Sequence, residues 1–120
     1  MTILLVDDDE DFRRGLAENL RDDGNTVQEY AAPGEVPPQL PGIELAITDY
    51  LMAGENGLSF ARRFHRLHPS VPVIMVTAYS TPEVEKEAAA SGFISVLHKP
   101  VRYERVYRLV EHLAGLARVS

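Results

Sequence analysis

Cysteine is absent from this chain of 120 residues. Its absence excludes disulfides, thiolate metal sites and a cysteine nucleophile. Long apolar runs are missing too. No stretch approaches the roughly 20 residues that a membrane-spanning helix requires. No basic region precedes the short apolar segment at the N-terminus, which therefore does not read as a signal peptide. Positive charge is scarce: 12 Lys and Arg stand against 18 Asp and Glu, a net charge of −6. A phosphate backbone needs a basic surface to neutralise it, so nucleic-acid binding by this segment is not expected. The chain also lacks internal repeats and any linker that would divide it. With 45% hydrophobic and 25% charged residues, it suits one compact domain over 1–120, expected in the cytoplasm.

Five short apolar runs recur along the chain: 2–6, 26–30, 44–48, 71–77 and 93–97. The first and fourth are continuously apolar, as strands covered on both faces should be. Between them lie segments of helical period. Phe12, Leu16 and Leu20 share a face over 10–22, and Leu58, Ala61, Phe64 and Leu67 over 57–68. Thr81 and Pro82 open a helix over 82–91 that stops at Gly92. Val106, Val110, Leu113 and Ala117 line the last, over 102–117. The segment "AAPGEVPPQLPG" (31–42) holds four prolines and two glycines, so no long helix fits there. The order predicts a doubly wound parallel α/β sheet with a shortened or irregular second helix.

Ligands in such sheets sit beyond the carboxyl ends of the strands. Asp7 and Asp8 follow the first strand, Asp49 the third and Lys99 the fifth, while Thr77 ends the fourth. All five are expected at one edge. Three converging carboxylates repel unless a hard cation lies among them, and Mg²⁺ suits an all-oxygen donor set. Asp9 to Asp11 fall at a helix start, where their charge is favourable. A carboxylate beside Mg²⁺ can attack phosphorus in line, with an ammonium stabilising the equatorial oxygens. Asp49 stands alone on its loop and is the best nucleophile candidate. Taken singly, each of these residues has a plain structural reading. Their joint placement carries the chemistry.

The stretches "ILLVDDD" (3–9), "AITDYLMAGENGL" (46–58), "VIMVTA" (73–78) and "HKPV" (98–101) occur in order, each at a strand end. In this the chain resembles the receiver domains of two-component response regulators from end to end. The resemblance implies a five-stranded sheet of flavodoxin-like order 2-1-3-4-5. It implies Asp7 and Asp8 as the acidic metal pair, Asp49 as phosphoacceptor and Leu51 as donor of a backbone carbonyl to Mg²⁺. Thr77 would be the switch hydroxyl and Lys99 the phosphoryl-contacting lysine, aimed by a cis peptide at Pro100. The donor would be a phosphohistidine on a sensor histidine kinase or phosphotransfer protein, and the output a linked domain or an effector. The modification would be catalysed by the chain on itself, not on a turned-over substrate.

Some positions depart from the pattern. Val96 stands where an aromatic residue usually couples to the threonine, so signalling is expected through the 77–82 loop and the 93–110 surface with a different readout. Ala53 replaces a common proline. Leu51 and Tyr79 flank the expected path of attacking water, one apolar and one bulky, which predicts slow self-dephosphorylation. The competing reading is a haloacid-dehalogenase-like phosphatase using Asp7 and Asp9 as nucleophile and acid. A third is a metal-independent binding module. Asn56-Gly57 reads as a tight turn without chemistry. His65 and His68 lack a third metal ligand and read as surface residues. His98 should face away from Lys99, and His112 lies among charged neighbours. Arg102, Arg105 and Arg108, interleaved with Glu104 and Glu111, form a solvated face or a homodimer surface on the last helix. The small residues of 87–92 suit close packing against core or partner.

Overall fold

The computed structural model describes residues 1–119, so position 120 of the expected domain lies outside the described residues. The elements are β1 (Thr2–Val6), α1 (Glu10–Asp22), β2 (Thr26–Tyr30), β3 (Leu45–Thr48), α2 (Gly57–Leu67), β4 (Val73–Thr77), α3 (Pro82–Ser91), β5 (Ile94–His98) and α4 (Tyr103–Val119). All strands are parallel, in the order β2-β1-β3-β4-β5. This is the doubly wound α/β sheet that the sequence predicts.

Alternation along the strands builds two cores. Ile3 and Leu5 face one side with Ile47, Ile74 and Val76, packed under α1 and α4 through Leu16, Leu20, Val106 and Val110. Leu4 and Val6 face the other with Ala46, Val73 and Met75, packed under α2 and α3 through Phe60, Phe64, Val84 and Ala88. A strand buried on both faces must be apolar at every position, which explains the unbroken runs in β1 and β4.

Element ends follow local chemistry. Asp9 caps α1, its carboxylate accepting the Phe12 N–H, with Glu10 and Asp11 in the first turn. Thr81 caps α3 ahead of Pro82, and Gly92 closes it in the left-handed conformation. Strand β4 starts at Val73, later than expected, since Pro72 has no N–H to give a ladder. On α2 the buried side chains include Leu58, Phe60, Ala61 and Phe64, whereas Leu67 is half exposed. The chain leaves helical geometry at His68, and Leu67 is the last helical residue.

The crossover from β2 to β3 is a single 3₁₀ turn, Pro33–Glu35, followed by irregular chain. It still closes the core: Val36, Leu40 and Ile43 are buried in the α2–α3 side. Three anchors do there what a helical face would do elsewhere.

Candidate functional site

Register delivers the site. Val6 pairs with Thr48 across β1 and β3, so the next residues, Asp7 and Asp49, emerge side by side. The Asp49 N–H donates to Val6 O at 3.2 Å, and the Asp7 N–H donates to Tyr30 O at 3.1 Å. Thr77 pairs with His98 across β4 and β5, and the Lys99 N–H donates to Thr77 O at 2.9 Å.

Lys99 Nζ lies between the acids, 2.9 Å from Asp7 Oδ2 and 3.0 Å from Asp49 Oδ2. It also lies 4.2 Å from the centre of the Phe12 ring, a cation–π contact. Part of the cation expected among the carboxylates is therefore the protein's own ammonium. Asp7 is 1% exposed. Burial drives its carboxyl above the usual aspartate range, against the pull of Lys99 and of the Asp9 N–H. Burial works to lower Lys99, but its hydrogen bonds to Asp7 and Asp49 outweigh that and hold the ammonium above its ordinary value. Two carboxylates share one ammonium, so the pocket keeps an uncompensated negative charge.

Asp8 is exposed, yet carboxylate oxygens of Asp7, Asp8 and Asp49 lie within 4.8 Å of one another. Such hard oxygens beside solvent suit a hard divalent cation that retains water. Among the described residues this is the only such group of His, Cys, Asp or Glu. Leu51 is exposed on the same loop as Asp49. Thr77 is fully buried, and its Oγ1 accepts the Tyr79 N–H at 3.0 Å. The Lys99–Pro100 peptide is cis. Val96 is half-buried and packs against the α2–α3 core.

Several contributors were invisible in the sequence pattern. The Tyr50 N–H donates to Asp49 Oδ1 at 2.6 Å, and the buried Thr48 hydroxyl donates to Asp49 O at 3.0 Å. Arg13 Nη1 donates to Asp7 O at 2.9 Å, while its Nε pairs with Glu29. The Gly57 N–H donates to Tyr50 O at 2.7 Å. A Cβ on Gly57 would meet Asp49 O at 2.0 Å. In place of the expected tight turn, Asn56 caps α2 and Gly57 is its first helical residue, and Gly57 also closes the acceptor loop. Only its place beside Asn56 hinted at that.

The histidines are more embedded than expected. His65 stacks on Phe93 with ring centres 3.8 Å apart, and His68 stacks on Phe64; both are half-buried. Aromatic neighbours one helical turn away (Phe64) or just ahead of β5 (Phe93) account for this. His98 pairs with Glu85 of α3 at 2.7 Å. Arg102, Arg105 and Arg108 are exposed, as is His112. Of the small residues in 87–92, Ala88 enters the core while Ala89 and Ala90 are exposed.

The family model for the response regulator receiver domain matches residues 3–111. The chain belongs to that family. It is 30% identical over 113 residues, 93% of its length, to a cyclic di-GMP phosphodiesterase of Thermotoga maritima, of which it spans 30%. It is 31% identical over 109 residues, 88% of its length, to a response regulator receiver protein of Anaeromyxobacter sp., spanning 45% of it. The chain thus covers less than half the length of these curated relatives. Among solved structures, a CheY-like receiver domain protein from Methanospirillum hungatei superposes with a TM-score of 0.89 at 25% identity, covering 99% of this chain and 98% of that one. Chemotaxis response regulator CheY4 of Vibrio cholerae gives 0.80 at 27% identity, covering 93% and 97%.

Receiver-family membership overturns the phosphatase reading of Asp7 and Asp9. The structure adds the physical reason: the Asp9 carboxylate is spent on capping α1. Among the described residues no helix is long and apolar enough to cross a membrane.

Proposed function

We propose that this receiver domain is a phosphorylation-controlled switch in which Asp49 accepts a phosphoryl group from a phosphohistidine of a sensor kinase or phosphotransfer protein. The observation that carries this reading is the shared ammonium: Lys99 Nζ within 3.0 Å of both Asp7 and Asp49. The family's chemistry needs such a group beside the acceptor.

Asp49 Oδ2 faces Lys99, while Oδ1 is held by the Tyr50 N–H. An Asp49 oxygen attacks phosphorus as the bond to the donor imidazole breaks. Lys99 follows the transferred oxygens and offsets their charge, and the Thr77 hydroxyl donates to one of them. Mg²⁺ would be held by Asp7, Asp8, Asp49 and the Leu51 carbonyl, and supplies charge neutralisation at the phosphoryl oxygens when bound. Asp7 keeps its carboxylate directed through the Asp9 N–H and through Arg13 on its carbonyl. The chain acts on itself alone and passes the change to an output domain or effector. Residues 1–120 form a single receiver unit working in the cytoplasm, with the exposed Arg105 and Arg108 of α4 available to a homodimer.

The test is incubation with acetyl phosphate and Mg²⁺, followed by mass-spectrometric mapping of the acyl phosphate. Label on Asp49, lost in Asp49→Asn and on chelation of Mg²⁺, is the expected result. Label elsewhere, or none, overturns it.

A further inference from the structure

The resemblance leaves one part unfilled. Val96 occupies the place of the usual coupling aromatic, and it is a small side chain packed into the α2–α3 core. The structure holds a different aromatic device near the same groups. Tyr50 and Tyr79 stack with ring centres 5.3 Å apart and planes 10° from parallel. Each belongs to a residue whose backbone already holds a site side chain. The Tyr50 N–H donates to Asp49 Oδ1, and the Tyr79 N–H donates to Thr77 Oγ1. The ring pair therefore ties the loop of the acceptor to the loop of the hydroxyl.

The two rings are anchored unequally. Tyr50 is half-buried and packs against the α2–α3 core, as Val96 does. Tyr79 is 43% exposed. Next to it, Ser80 Oγ is buried and finds no hydrogen-bond partner among the described residues. The next residue, Thr81, caps α3, whose buried side chains are Val84 and Ala88 and whose Glu85 and Glu87 pair with His98 and Arg62. The outward route from Tyr79 to the start of α3 is short.

We propose that the stacked Tyr50–Tyr79 pair is the positioning and coupling element of this switch. The rings hold Asp49 and Thr77 in register. When the Thr77 hydroxyl swings from the Tyr79 N–H to a phosphoryl oxygen on Asp49, Tyr79 leaves the stack and shifts the start of α3. No bond beyond that phosphorylation is made or broken; one hydrogen bond is exchanged for another. The inference rests on the phosphoacceptor reading above.

The test uses beryllofluoride with Mg²⁺ as the phosphoryl mimic, read by two signals. Bound ¹⁹F resonances report occupancy of Asp49, with Asp49→Asn as control. Tyrosine ring and backbone amide resonances report the stack and the 79–98 surface. In the unsubstituted chain, loading is expected to move the Tyr79 ring and the amides of 81–85 together. In Tyr50→Leu, compared at beryllofluoride concentrations that saturate the bound ¹⁹F signal, the shifts at 81–98 at least halve and the Tyr79 ring starts from its unstacked position. Tyr50→Phe, which returns an aromatic ring to that position and keeps the Tyr79 reporter, shows the full response, a result that loss of stability alone would not give. Bound ¹⁹F with an unmoved Tyr79 ring, or a full response in Tyr50→Leu, overturns the coupling while leaving the acceptor intact. Absence of bound ¹⁹F in the unsubstituted chain, or its persistence in Asp49→Asn, overturns the acceptor reading and the coupling with it.

Discussion

Lys99 and Gly57 show how much single residues carry here. Lys99 is the only ammonium hydrogen-bonded to Asp7 and Asp49 among the described residues. Lys99→Met leaves two buried carboxylates without compensation and is expected to cost about 3 kcal/mol of stability, measured by urea unfolding in chelator. Asp7→Asn has the opposite sign. It leaves one carboxylate with one ammonium and removes a charge whose burial is unfavourable, so the metal-free melting temperature should rise while Mg²⁺ binding is lost. Gly57→Ala drives a methyl group into Asp49 O. It should cost about 2 kcal/mol and reduce the phosphorylation rate, since the loop can relieve the overlap only by moving Asp49.

At the scale of elements, the Asp49 loop is held to α2 from outside as well. Arg63 reaches back from α2 to Glu55 with Nη2 2.8 Å from Oε1 and Nε 3.3 Å from Oε2. The hydrogen bonds from Arg63 hold Glu55 below the usual glutamate range, against partial burial. A depressed folded-state value means stability present above the unfolded value and lost as pH falls through the folded one. Acid unfolding of the unsubstituted chain should include that loss. Glu55→Gln should be less stable at neutral pH and show a shallower fall on acidification, followed by circular dichroism. The loop's other face gives a second expectation. Leu51 and Tyr79, two residues past Asp49 and Thr77, are both well exposed. Making both polar (Leu51→Asn with Tyr79→Gln) should shorten the acyl-phosphate lifetime several-fold by admitting ordered water. A lengthened lifetime would contradict the shielding role.

What could be read from the chain divides at this scale. Asp7, Asp49 and Lys99 were legible because each follows an apolar run whose end is visible, and parallel strands send their ends to one edge. The cap Thr81 was legible because capping is a local rule, and Asp9 was legible as an acid at a helix start, though its carboxylate's role as the cap was not read. Thr48, Tyr50, Gly57, Phe12 and Arg13 were not, because their roles depend on loop conformations and on contacts across the sheet. The proline-rich crossover was readable as non-helical. That Val36, Leu40 and Ile43 would bury themselves without a helix was not, since irregular chain has no period to read. The stack of His65 on Phe93 was missed because an aromatic partner brought from outside α2 leaves no mark on a helical pattern, whereas the Phe64–His68 pair, one helical turn apart, was open to reading and was not read.

For the molecule as a whole, the excess negative charge at the strand ends predicts that divalent cation binding and folding are linked. The folded state alone gathers Asp7, Asp8 and Asp49, so Mg²⁺ at about 100 times its dissociation constant should add about 2.7 kcal/mol. Differential scanning calorimetry should show a melting temperature that climbs with Mg²⁺ and a much smaller climb in Asp8→Asn. Equal responses would mean that the cation acts elsewhere.

The alignment of Val6 with Thr48 has one more consequence. A slip of β1 by one residue would turn Ile3 and Leu5 toward the wrong layer and, in the same motion, carry Asp7 away from Asp49. Chemistry and packing therefore fail together or survive together. Any mutation that natural selection tolerates in the central strands has already been screened, without further cost, for keeping the acids in reach of each other.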